Sequence, residues 1–149
     1  MHSQHEGDEG LNTQRFLSAS HTFWYRASGG RILTKMHGAD VLLLTTTGRK
    51  TGKKRTTPLI YVQDGDNLAI VASNGGRDRD PTWWTNLQHN PRAQVQVKRE
   101  RKTMTAEKAG PEDNVRLWSM LTKAYPAYDD YQKKTKRTIP IVILRPGSE

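Results

Sequence analysis

Arg49, Lys50, Lys53, Lys54 and Arg55 put five cations into seven residues, with Gly52 among them and Gly48 just before. Five like charges on one loop repel each other, and a docked polyanion would relieve that repulsion. The Arg forks would then give it charge-assisted hydrogen bonds. The glycines would let backbone N–H groups approach the anion closely. The competing reading is a solvated basic loop. The familiar phosphate motifs do not fit. A Walker loop needs four residues between its glycines, then Lys and Ser/Thr, then a helix. Here three residues separate the glycines, Lys54 follows Lys53, and Pro58 among β-branched neighbours argues for a strand. No GxGxxG opens a helix, so a Rossmann fingerprint is absent.

Three further stretches carry chemistry-bearing residues. Tyr125, Tyr128 and Tyr131 recur every three positions. On a helical turn Tyr128 and Tyr131 would be neighbours, their phenols able to hydrogen-bond a polar acceptor at a rim. Their competing role is as core aromatics. Asn74, Gly75 and Gly76 follow an apolar run over 68–73. The glycine pair either bares a backbone edge for a flat ligand or makes an ordinary turn. Trp83 and Trp84 are adjacent, so one is expected in the core and the other on a cleft. Histidines at 2, 5, 21, 37 and 89 form no ligand pattern, and Cys is absent. That composition predicts no metal site and excludes thiol catalysis and a disulfide framework.

The elements that must position these groups follow from local pattern. The apolar runs 41–44 and 56–62 flank the basic loop and read as a hairpin. The turn 64–67 leads into a strand over 68–73. Asp80 and Pro81 suggest the N-cap and first position of a short helix carrying both Trp residues, stopped at Asn90-Pro91. Residues 93–99 alternate as a half-exposed strand, and 101–108 continue antiparallel to it. Gly110-Pro111 opens a helix with Glu112 and Asp113 in its first turn and a core face of Val115, Leu117, Trp118 and Leu121. Lys133, Lys134, Lys136 and Arg137 form a second basic cluster, and 138–144 is a last strand in which Pro140 implies an edge or a start. The tally is six or seven mostly antiparallel strands with three or four short helices. This is an α+β domain built on a barrel or closed roll.

Composition bounds the rest. A chain of 149 residues suits one domain, expected over 13–149 behind a disordered polar tail over 1–12. The net charge is +9, and the first twelve residues carry three acids without Lys or Arg, so the remainder carries +12. That excess calls for an anionic partner. The absence of Cys fits a reducing cytoplasm, and no apolar run has the length of a membrane span or a signal peptide. A helix over 13–27 would gather Phe16, Leu17, Phe23 and Trp24 on one side. It would pack on the domain, cover a substrate, or touch a membrane surface peripherally.

Taken together, LLLTTTGRKTGKKRTTPL, VASNGG, DPTWWTNLQHNP and YPAYDDYQKKTKRTIP resemble the deazaflavin-dependent nitroreductase family, over about residues 16–146. The resemblance implies a split β-barrel that binds coenzyme F-420. It implies that Arg49, Lys50, Thr51 and Arg55 hold the phosphate and oligoglutamate tail, with Pro58 in the following strand. It implies that Ala72, Ser73 and Asn74 meet the deazaflavin ring, that Trp83 and Trp84 line the pocket, and that Tyr128 and Tyr131 sit over the substrate, with Tyr125 as a third. The family often carries Lys where Asn74 stands and Tyr where Trp84 stands. The implied reaction is hydride transfer to a planar acceptor such as a quinone, a nitroaromatic or a conjugated enone, with Tyr128, Tyr131 and Ser73 hydrogen-bonding the acceptor. The alternatives are an FMN-dependent oxidoreductase and a nucleic-acid-binding barrel. Against nucleic acid, the Trp and most of the Tyr residues fall on expected helices rather than interleaving with cations on a strand.

Overall fold

The computed structural model describes residues 35–36 and 38–147. The expected tail over 1–12 and helix over 13–27 lie outside the described residues. Among those described, eight strands run β1 (Lys35–Met36), β2 (Ala39–Thr47), β3 (Lys54–Ile60), β4 (Val62–Asp64), β5 (Asn67–Val71), β6 (Arg92–Val97), β7 (Glu100–Lys108) and β8 (Ile141–Pro146). Three helices are interspersed: α1 (Thr82–His89), α2 (Pro111–Ala124) and α3 (Ala127–Lys134). The sheet order is β1-β2-β6-β7-β8-β5-β4, with β3 on the far side of β2, and every pairing is antiparallel. This is the α+β split barrel that the sequence suggests. The strand count exceeds the expectation through two short pieces, β1 and β4.

The continuous apolar runs are strands buried on both faces. Leu68 and Ile70 of β5 and Val142 and Leu144 of β8 join one core under α1, with Leu42 and Leu44 of β2. Their neighbours Ala69, Val71, Ile141 and Ile143 join a second core with Leu117 and Leu121 of α2 and Tyr128 of α3. The alternating strands β6 and β7 instead bury mainly one face, through Ala93, Val95, Met104 and Ala106, although Gln96, expected outward, is also buried, its Nε2–H donating to the Lys98 carbonyl at 2.8 Å.

Several local expectations shift for physical reasons. Pro58 sits opposite Leu43 in β3, which among the described residues pairs with β2 alone, an edge position of the kind where proline is tolerated. Pro140 marks a strand start, but not an edge, since β8 lies between β7 and β5. Pro81, not Asp80, is the N-cap of α1. The Asp80 carboxylate is engaged by Arg137 instead. In α2, Leu117 and Leu121 set the buried stripe, and Val115 is 74% exposed. A two-residue offset rotates a helical side chain by about 200°, which turns Val115 away from that stripe. Trp118 is half-buried, and its Nε1–H donates to the Asp129 carboxylate at 3.0 Å, tying α2 to α3.

Candidate functional site

The basic loop closes on itself. Gly52 N–H donates to the Gly48 carbonyl at 2.8 Å, Gly48 N–H to the Lys53 carbonyl at 2.8 Å, and Lys53 N–H to Thr51 Oγ1 at 3.2 Å. The N–H groups of Gly48, Gly52 and Lys53 are therefore consumed inside the turn. The glycines serve shape. A Cβ at Gly48 would lie 2.8 Å from Thr51 Oγ1, and Gly52 has φ +71°.

What remains outward are the side chains. Arg49, Lys50, Lys53, Lys54 and Arg55 are all exposed. Arg49 Nη1 donates to Thr85 Oγ1 at 3.3 Å and Lys54 Nζ to Thr47 Oγ1 at 3.0 Å. Among the described residues none of the five pairs with a carboxylate, whereas Lys102, Arg116, Arg137 and Arg145 do. Arg55 stands opposite Thr46 and Pro58 opposite Leu43, so strand alternation puts their side chains on opposite faces. A ligand touching both must reach around the β3 edge. A groove of about 220 Å³ runs past Lys54, lined also by Thr45, Thr47, Arg92 and Gln94.

The loop is anchored by a residue the sequence reading missed. Asn86 of α1 is 2% exposed. Its Oδ1 accepts the Arg49 N–H at 3.1 Å and its Nδ2 donates to Thr46 Oγ1 at 3.2 Å. The one available signal was an amide beside Leu87 and one turn from Trp83 on the apolar face of the helix. Replacing Asn86 by Ala leaves the Arg49 N–H and the Thr46 hydroxyl without this partner and is expected to cost about 1–3 kcal/mol. The check is thermal unfolding, where an unchanged Tm would contradict the anchor.

The ring side is built from segment 72–80 and α3. Ala72 is fully buried, and its N–H donates to the Pro140 carbonyl at 2.9 Å. Ser73 is half-buried, and its hydroxyl makes no hydrogen bond among the described residues. Asn74 has φ +47°, and its Nδ2 donates to the Arg79 carbonyl at 3.1 Å. Gly76, at φ +82°, presses on α3: a Cβ there would meet the Tyr131 carbonyl oxygen at 2.7 Å and its Cα at 2.9 Å. Close helix approach, rather than a bared ligand edge, thus explains the second glycine. Gly76→Ala is expected to destabilise by about 1–2 kcal/mol from the left-handed backbone plus about 1–3 kcal/mol from overpacking. Calorimetry showing a wild-type Tm would refute that account.

Trp83 and Trp84 are both buried, 7% and 5% exposed, so the expected division between core and cleft does not form. The reason is that α1 buries one broad face, which takes in Asn86 and Leu87 as well, and both indoles join the same core.

The tyrosines assemble differently from expectation. Tyr128 and Tyr131 do pack, with rings edge to face at 6.2 Å. But Tyr128 is 6% exposed within the second core, not at a rim, and burial pushes its phenol well above the usual tyrosine range. The phenols that meet are those of Tyr125 and Tyr131, which share a hydrogen bond at 2.8 Å. That bond, with burial added, pushes the Tyr125 phenol up to about 12. Helical geometry from 127 on would favour the 128–131 pair. Tyr125, however, caps the end of α2, and the turn at Pro126 swings it back over α3.

Arg137, grouped by sequence with surface lysines, is instead a hub. Its guanidinium donates to the carbonyls of Ala72, Ser73 and Arg77 and to the Asp80 carboxylate. No local signal could reveal this, because its partners lie 57 to 65 residues away.

The basic loop bonds to α1 through Asn86 and Thr85, and the half-buried Ser73 and the Tyr125–Tyr131 pair lie on segment 72–80 and around α3. A family model described as F420H(2)-dependent quinone reductase matches residues 17–146. The chain is similar to an F420H(2)-dependent quinone reductase of Mycobacterium tuberculosis, 43% identical over 128 residues that cover 83% of this chain and 86% of that protein. It is similar to the structure of an F420-H2 dependent reductase at 40% identity and TM-score 0.66, covering 70% of this chain and 93% of that one. A domain-swapped dimer aligns at 33% identity and TM-score 0.69, covering 94% and 98%.

Proposed function

The chain belongs to the F420H(2)-dependent quinone reductase family, and from that premise we propose how its own residues carry the reaction. It is an enzyme that transfers a hydride from reduced coenzyme F-420 to a quinone. The observation that carries the site assignment is the loop of five exposed cations without carboxylate partners among the described residues. This donor set fits the coenzyme, which bears a phosphate and several glutamate carboxylates. FMN, with one phosphate, would leave most of the loop unneutralised.

Arg49, Lys50 and Arg55 hold the phosphate and tail, and the Thr51 hydroxyl donates beside them. Lys53 and Lys54 extend the field toward solvent. Pro58 borders the site on the other face of β3. Ser73, whose hydroxyl makes no hydrogen bond among the described residues, and the backbone at Ala72 and Asn74 border the ring. Trp83 and Trp84 brace that border from the core side. When bound, the coenzyme supplies the hydride. The protein supplies position and hydrogen bonds to the oxygen on which negative charge develops. Tyr131, half-buried and backed by Tyr125, is the donor to that oxygen. Tyr128 holds the pair through its ring, with Tyr125 edge-on at 4.9 Å. Ser73 is the second donor.

Titrating the protein with oxidised coenzyme F-420 and separately with FMN, following Trp fluorescence, tests the reading. Tight F-420 binding with weak FMN binding is expected, and a preference for FMN would overturn it. Among the described residues no helix is long and apolar enough to cross a membrane. A cytoplasmic setting with peripheral membrane contact through Phe23 and Trp24 is the further part of the proposal. Co-sedimentation with anionic vesicles, lost in Trp24→Ala, would support the contact.

A further inference from the structure

We propose that Arg137 is a positioning residue that sets the ring-side segment 72–80 against the tyrosine helix, an inference that rests on the coenzyme reading above. Its Nε donates to the Arg77 carbonyl at 2.8 Å and its Nη1 to Asp80 Oδ1 at 3.1 Å. Its Nη2 donates to the Ala72 carbonyl at 3.2 Å and the Ser73 carbonyl at 2.9 Å. One planar group thus reads four acceptors on a single segment, and its side chain is only 17% exposed. The segment has almost no regular structure of its own, being one 3-10 turn between β5 and α1. Its path is therefore fixed from outside.

Arg137 is in turn fixed to α3. Its carbonyl accepts Gln132 Nε2–H at 2.8 Å, and Gln132 Oε1 accepts the Ile139 N–H at 3.0 Å, so the strap after the helix folds back on it. Thr135 Oγ1, which donates to Asp78 at 2.7 Å, makes a second link between the same two pieces. Gly76 against the Tyr131 backbone makes a third. Of the three, only Arg137 touches Ala72 and Ser73, the residues that border the ring. A Lys ammonium has three donors on a flexible stem and cannot span four divergent acceptors, whereas a guanidinium has five in one plane. The charge of Arg137 is already answered by Asp80, so its role is directional and separate from the basic loop's attraction for the anion.

The consequence is a split. Loss of the guanidinium displaces Ser73 relative to Tyr131 but leaves Arg49, Lys50 and Arg55 in place. Misplacement by about 1 Å costs about 100-fold in rate. Arg137→Lys is therefore expected to slow single-turnover hydride transfer about 100-fold while the Kd for oxidised F-420 rises no more than about fivefold. Hydrogen exchange of the coenzyme-free protein should accelerate over 72–80 and not over the basic loop. In Arg137→Ala, added guanidinium ion should restore part of both the rate and the protection. A merely structural role would lower Tm without a rate split below the melting temperature and without rescue. Wild-type rate in Arg137→Lys, or exchange unchanged over 72–80, overturns the inference. Failure of wild type to bind F-420 would instead overturn the coenzyme reading, with the exchange result still standing on its own.

Discussion

Replacing Arg49, Lys50 and Arg55 together by Ala is expected to weaken binding of oxidised coenzyme F-420 by about 100- to 1,000-fold. Each charge-assisted hydrogen bond is worth about 1.5–3 kcal/mol, and exposure to solvent reduces that to the lower end or below. Three such losses give about 3–4 kcal/mol, and each 1.4 kcal/mol is tenfold in Kd. The fold should survive. All three side chains are exposed, and the loop's anchor to Asn86 runs through the Arg49 backbone, which Ala keeps. A second signature separates direct contact from general attraction. Wild-type affinity should fall with added salt, while the triple variant, weak already, should respond much less. Fluorescence titration at two salt concentrations reads both. A Kd within threefold of wild type would mean the loop is a solvated hairpin and the anion is held elsewhere.

The second large effect is expected from Tyr125→Phe combined with Tyr131→Phe. Removing a donor aimed at developing negative charge costs about 100- to 1,000-fold in kcat, with Kd for the oxidised coenzyme little changed. Tyr128→Phe should leave the rate near wild type, since its ring rather than its hydroxyl braces the pair. The opposite ranking, with Tyr128→Phe the slow enzyme, would refute the pair as donor. A pH measurement checks the same contact. The Tyr125 phenol is pushed up to about 12 by its bond to Tyr131, so phenolate absorbance from it should appear about two pH units later than from an ordinary tyrosine of pKa about 10. Its folded value lies above its unfolded one. The pair therefore supports the fold fully below pH about 10, and that support is lost as pH rises toward 12. In Tyr131→Phe the Tyr125 titration should move down.

Much of the frame was legible in the sequence because its causes are local. The period of two over 93–97, with Val95 inward and Gln94 outward, is a half-buried strand wherever it lands. Gly110, Pro111, Glu112 and Asp113 start a helix on the strength of four adjacent residues. The exposed cation cluster follows from seven neighbours on a turn, and it stands among the described residues as expected. The four motifs together also carried the family resemblance, which the family match over 17–146 bears out.

The site's working detail was not local, and the misreadings share that cause. That the Gly48 and Gly52 N–H groups are spent on the Lys53 and Gly48 carbonyls depends on how the hairpin closes. One Trp was expected on a cleft because two adjacent helical residues diverge, yet α1 is sunk deeply enough to bury both. The partner of Tyr131 was expected at three residues' distance and proved to be Tyr125 at six, across the turn at Pro126. Asn86 meets Arg49 across 37 residues and Arg137 meets Asp80 across 57. The sequence alone determined the strand and helix periods, the basic loop and the family, because those depend on residues a few positions apart. Only the tertiary structure decided which phenols meet, which amide anchors the loop and which guanidinium holds the ring-side segment. Those choices depend on where distant strands return to one another, and no local pattern of charge or hydrophobicity contains that information.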